Sequence, residues 1–213
     1  LPADDAGSFA QTLQDRLTTI FRATSLSRLT QATTYKPKDF TLQFGVQSAG
    51  ATSVTPLVAE ETPIVRQGDR LYVDFKNSSG KPADLNVLYV DRDYGITLIC
   101  QTHLASNDRV FAPMADLGDT DLGAERIIAV VNESGKDLTD LSFLQQPGLP
   151  VATRGTDQGG LLGMLADLGA GTPTRGPTLV ATADTKTPRG AVVLVPLEVR
   201  DATGEPAAAG LTV

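Results

Sequence analysis

The sequence predicts a mainly β protein: an antiparallel immunoglobulin-like β-sandwich with an N-terminal amphipathic helix and a long Gly/Pro-rich excursion. Three observations predict it. Apolar residues in the first thirty positions recur at helical spacing, and beyond Pro37 the spacing falls to two. The later strand-like runs also lack the helical crossovers, about 10–15 residues long, that a parallel βαβ sheet requires.

Phe9, Leu13, Leu17, Ile20 and Phe21 form one apolar stripe, with Asp15, Arg16 and Arg22 between them, and Ser8 is a reasonable N-cap. The helix runs on or restarts through Leu26 and Leu29 before Thr33, Thr34 and Pro37 stop it. One stripe implies one partner surface. Either the helix covers a face or edge of the following sheet, or it docks on another domain or chain.

Phe40, Leu42 and Phe44 alternate as a half-buried strand. Ile64 and Val65 lead through a Gln67-Gly68-Asp69 turn into alternating Leu71, Val73 and Phe75, closed by Asn77-Ser78-Ser79-Gly80. Residues Leu85–Val90 and Ile96–Cys100 read as a hairpin around Asp91-Arg92-Asp93-Tyr94-Gly95. Arg126–Val131 is nearly continuous in apolar residues, as expected of a central strand buried on both faces. Thr178–Ala183 and Ala191–Arg200 form a last pair. Between Pro147 and Pro177 the chain is rich in Gly, Pro and Thr, with one short helical segment at Leu161–Leu168. The expected organisation is a helix over 1–35, a sandwich core over 36–147, an excursion over 148–177 and a closing strand pair over 178–213.

With 213 residues, 41% hydrophobic and 20% charged, the chain can bury one substantial core. Trp is absent and aromatics are 5%, so that core relies on Val, Leu and Ile. A formal charge of −7 without a local Lys/Arg cluster disfavours nucleic acid. No apolar run reaches the ~18 residues of a membrane span, so no membrane insertion is expected. One cysteine makes no internal disulfide and leaves the compartment open. The chain opens on Leu1 rather than Met, which suggests an excised fragment or a processed product.

Helix residues Leu26-Ser27-Arg28-Leu29, the run Arg66-Gln67-Gly68-Asp69-Arg70-Leu71, Asn86-Val87-Leu88-Tyr89-Val90-Asp91, Tyr94-Gly95-Ile96 and Gly123-Ala124-Glu125-Arg126-Ile127-Ile128-Ala129-Val130 occur in order. Phe143-Leu144-Gln145-Gln146-Pro147-Gly148-Leu149 and Thr153-Arg154-Gly155 follow. Together, over roughly residues 9–155, these short motifs resemble a domain of unknown function that follows the catalytic domain in bacterial caspase-like, metacaspase-related peptidases. The resemblance implies a non-catalytic accessory, interaction or regulatory domain, with the catalytic His and Cys upstream. Its partner would be that peptidase domain or another protein, in a bacterial cytoplasm or periplasm. The alternative is a free-standing binding protein for a small ligand or glycan, using loops such as 101–123 and 148–177.

Cys100 and His103, the only cysteine and histidine, invite a nucleophile reading. Residues three apart in a strand point to opposite faces, so the expectation is a buried strand-end Cys beside an exposed loop His, with no catalytic residue. Two ligands are also too few for a metal site. Asp116, Asp119 and Asp121 offer hard oxygen ligands that suit calcium, although such runs are also ordinary turn chemistry. No cofactor motif occurs. Arg154, Arg175 and Arg189 each precede Gly in loop-like context. Metacaspase-type enzymes favour basic residues before the cut, so the resemblance implies processing sites there; the plainer reading is turns in which Gly supplies φ > 0.

Overall fold

The computed structural model describes residues 3–28, 35–36, 38–58, 62–118, 122–134, 138–149 and 189–204. Helix α1 spans Ala3–Arg28. Its start at Ala3 places Ser8 inside the helix, so Ser8 is not the N-cap that the sequence suggested.

Nine strands follow: β1 (Phe40–Gln47), β2 (Thr55–Pro56), β3 (Ile64–Arg66), β4 (Arg70–Asn77), β5 (Ala83–Val90), β6 (Ile96–Leu104), β7 (Arg109–Asp116), β8 (Gly123–Glu133) and β9 (Gly190–Arg200). They form a four-stranded sheet ordered β2-β1-β4-β7 and a five-stranded sheet ordered β3-β9-β8-β5-β6. All pairings are antiparallel except β3 with β9. The molecule is therefore mainly β, two packed sheets and one helix, an arrangement consistent with a β-sandwich. The Gln67-Gly68-Asp69 turn carries the chain from one sheet to the other, with Gly68 at φ 85°. Asp69 holds that turn by accepting hydrogen bonds from the backbone N–H groups of Arg66 (2.9 Å) and Ala49 (3.1 Å).

Alternation explains the core. Phe44, Leu71, Val73 and Phe75 from the smaller sheet meet Leu85, Val87, Ile127, Ala129, Val131, Val195 and Leu197 from the larger one. The expected β5–β6 hairpin forms, with a register shift between Val87 and Leu88 that leaves Ile99 as the extra residue on β6. The nearly continuous apolar run becomes central strand β8, between β9 and β5. Thr178–Ala183, the expected partner of β9, and the Leu161–Leu168 segment lie outside the described residues.

One expectation is overturned. Residues 101–123 are not chiefly loop, because 101–104 complete β6 and 109–116 form β7 on the edge of the smaller sheet. Polar residues alternate through this stretch, and Pro113 reads as a breaker. An edge strand tolerates both, since its outer backbone groups face no neighbour.

The outer face of the larger sheet is covered as well. Ala23 and Leu26 of α1 pack with Leu88, Val90, Ile96 and Ile128, and Leu144 from a 3₁₀ turn at Ser142–Leu144 joins them. The Gln146 side-chain amide donates to the carbonyls of Thr19 in α1 (2.9 Å) and Tyr94 (2.8 Å). Replacing the fully buried Leu88 by Ala is expected to cost about 2–5 kcal/mol in urea unfolding. It should also raise amide exchange around Ala23–Leu26; unchanged exchange there would show that α1 is held in some other way.

Candidate functional site

Among the described residues, three places bring together side chains with chemical potential: the outer face of β5 and β6, the outer face of the smaller sheet, and the free side of α1. At the first, Cys100 and His103 both belong to β6. Cys100 lies mid-strand, paired with Val87, and packs against the inter-sheet core, where burial pushes its thiol pKa up. His103 is a strand residue, not the loop residue expected from sequence. It pairs with Asp84 across the hairpin, on the face opposite to Cys100.

Asp84 is fully buried. Its Oδ1 lies 2.8 Å from His103 Nδ1, and its Oδ2 accepts the backbone N–H of Thr139 at 2.9 Å. Ser134 Oγ lies 3.1 Å from the same His103 nitrogen. The trio has the composition of a hydrolytic relay but not its geometry. A relay places the carboxylate on one ring nitrogen and the hydroxyl on the other, whereas here both oxygens meet Nδ1. Around the trio, Gln101 Nε2 donates to Asn86 Oδ1 and to the Thr139 carbonyl, both at 3.0 Å, and Asn132 Nδ2 donates to Thr139 Oγ1 at 2.7 Å. The network fastens the segment around Thr139 to the sheet. Burial raises the Asp84 pKa, but hydrogen bonds from Thr139, His103 and Ser134 outweigh it and hold the carboxyl below its ordinary value.

Of the carboxylates with calcium potential, the one that is described, Asp116, is engaged. Both Asp116 oxygens accept from Arg70, Oδ1 from Nε at 2.5 Å and Oδ2 from Nη2 at 3.0 Å, while Asp119 and Asp121 lie outside the described residues. Asp91 instead closes its own turn, its Oδ1 accepting from the N–H groups of Asp93 (2.8 Å) and Gly95 (2.7 Å). Among the described residues, no group of three or more His, Cys, Asp or Glu is placed to hold a metal. No helix among them is long and apolar enough to cross a membrane.

Arg154 and Arg175 also lie outside the described residues. Arg189 is held at the start of β9: Nε donates to Glu133 (3.1 Å), Nη1 to Asp39 (3.3 Å), and the guanidinium stands 5.0 Å from the Tyr35 ring centroid. Its carbonyl accepts the Glu133 N–H at 2.8 Å. Cleavage after Arg189 would first require this end of β9 to detach, which opposes a processing site there.

One surface feature escaped the sequence reading, and a second concerns the stripe that it identified. On the smaller sheet, Tyr72 and Phe111 stack with centroids 5.4 Å apart and planes 22° apart. The ion pairs Arg70–Asp116 and Arg109–Asp74 flank them. The register of β4 with β7 creates this ladder, and it became visible only once β7 was known as a strand. On α1, Phe9, Leu13, Leu17 and Phe21 are 56%, 46%, 55% and 65% exposed. The stripe that the sequence identified thus turns away from the body, and the buried contacts come from Ala23 and Leu26 instead. A shallow apolar groove along Ala10, Leu13, Leu17, Ile20 and Phe21 follows it.

Compared with known proteins, the chain matches no family model and no curated protein sequence.

The lowered Asp84 pKa has a pH consequence. A folded pKa below the unfolded one adds stability that is fully present above the unfolded value, about 3.9, and is lost as pH falls through the folded value. Asp84→Asn is therefore expected to flatten the fall in stability on acidification below about pH 5. Unfolding midpoints of the two proteins measured down to strongly acidic pH should converge, and parallel curves would show that Asp84 gains nothing from its network.

Proposed function

We propose that this chain is a non-catalytic interaction domain, an immunoglobulin-like β-sandwich that contacts another protein through the uncovered stripe of α1. The four exposed large apolar side chains on one helix face carry this reading, because a surface of that kind marks an interaction site. The sequence resemblance supplies the setting: an accessory domain of a bacterial caspase-like peptidase whose chemistry is done upstream. Two further features support the absence of chemistry in this part. Cys100 is turned into the core, away from His103, and the His103 trio lacks relay geometry.

The test separates chemistry from contact. In the complete protein, Cys100→Ala and His103→Ala are expected to leave peptide hydrolysis within about twofold of wild type, a barrier change of about 0.4 kcal/mol. Leu13→Asp combined with Leu17→Asp should abolish protein association while changing urea stability by less than about 0.5 kcal/mol per site. A large loss of turnover on removing Cys100 or His103 would sink the non-catalytic reading.

A second reading has one observation of its own. The Tyr72–Phe111 pair, with Phe111 57% exposed and charged groups on both sides, is a surface on which a sugar ring could stack. It moves the glycan alternative from the loops to the face of the smaller sheet. Phe111→Ala should then lose retardation in polysaccharide affinity gels, and a wild-type protein that shows no retardation removes this reading.

A further inference from the structure

The exposed stripe of α1 is symmetric about position 15. Leu13 and Leu17 stand two residues either side of it, and Phe9 and Phe21 stand six either side. We infer that the occupant of this stripe is α1 of a second copy of the chain, running antiparallel about a two-fold axis level with Asp15. The inference rests on the interaction reading above and names its partner.

An antiparallel pair with that axis brings Leu13 level with Leu17 of the second copy, and Phe9 level with its Phe21. Ala10 comes level with Ile20, so the smallest side chain of the groove meets a bulky one. Seam positions Ala10, Leu13, Leu17 and Ile20 follow the 3-4-3 spacing by which two helices interlock. The same patch serves both chains, as a closed two-fold contact requires.

Charge selects the direction. The chain carries −7, but within α1 the three aspartates, Asp4, Asp5 and Asp15, cancel the three arginines, Arg16, Arg22 and Arg28. Two copies meeting at α1 therefore meet on a neutral element of an acidic protein. A parallel pair would align the two helix dipoles, whereas the antiparallel pair opposes them favourably. The bodies leave room for it. Each is fastened to its helix at Thr19, Ala23 and Leu26, on the C-terminal side of the axis, so the two bodies lie at opposite ends of the pair.

Sedimentation equilibrium of the full chain is expected to show a monomer–dimer equilibrium. Leu13→Asp with Leu17→Asp should weaken it at least about a hundredfold while the melting temperature of the monomer holds. Orientation is read in a Cys100→Ala background by mixing chains carrying Phe9→Cys with chains carrying Phe21→Cys. A short bismaleimide should link the two kinds to each other and neither to itself, because in the antiparallel pair copies of position 9 stand about 18 Å apart along the axis. Linking of Phe9→Cys chains to themselves, or a monomer at every concentration, overturns the inference. Should the chain be monomeric while capture of the peptidase domain still depends on Leu13 and Leu17, the interaction reading stands and only the second copy falls. Should the aspartate variant alter neither property, both fall.

Discussion

The structure turns on the burial of β5 on both faces. One face carries Leu85, Val87 and Tyr89 into the space between the sheets; the other carries Asp84, Asn86, Leu88 and Val90, all of them within the larger sheet's outer cover. A two-sheet protein needs to bury only its inner faces, so this second layer has to be supplied from elsewhere in the chain. The outer face of β5 is divided, and its cover is sorted to match. Polar Asp84 takes the segment around Thr139 by a direct hydrogen bond, and Asn86 is linked to it through Gln101. Apolar Leu88 and Val90 take Ala23, Leu26 and Leu144 by packing. Polar contact specifies register where packing alone would not, and apolar contact supplies most of the free energy.

The same constraint explains the short motifs that carried the sequence resemblance. Tyr94-Gly95-Ile96 and Gln146-Pro147-Gly148 are distant in sequence but adjacent in space. Ile96 and Gln146 exchange backbone hydrogen bonds at 2.8 and 3.0 Å, and the Leu149 N–H donates to the Asp93 carbonyl at 2.7 Å. A Cβ on Gly95 would come within 2.9 Å of the Gly148 nitrogen, so the glycine is required by close backbone approach. These residues clamp the covering segment onto the β5–β6 turn, and Gln146 extends the clamp to α1. Their grammar is therefore one of architecture, and a protein can keep it without sharing a reaction.

Periodicity made most of the fold legible. Alternation located β1, β4 and β5, because each has at least one buried face that selects apolar residues at every second position, and a nearly continuous apolar run located β8. It missed β7, whose exposed positions and Pro113 carry no such selection. It could not assign β3 and β4 to different sheets, since a turn motif does not encode whether the chain reverses within a sheet or crosses between two. For the site, spacing alone separated Cys100 from His103, but not the pairing of His103 with Asp84, which is 19 residues away and set by hairpin register. Nor does Arg189-Gly190 in sequence reveal Glu133 and Asp39, which reach it only through sheet pairing and the close of β9.

Helix α1 was legible as a helix and as amphipathic, yet its stripe does not face its own sheet. The residues that do, Ala23 and Leu26, lie on a different side of the cylinder and only near one end. From Phe9 to Thr18 the helix gains little from the body, and its sequence is a modest helix former, with Gly7, Thr12, Thr18 and Thr19 among its residues. A helical stretch of only about ten residues without tertiary support is marginal in water. On the proposed interaction reading, the free energy that fixes the N-terminal half comes from the partner that covers Phe9, Leu13, Leu17 and Phe21. Anchoring at one end and exposure along the other side belong to one design under that reading: the body fixes where the stripe is presented, and the proposed partner completes the helix.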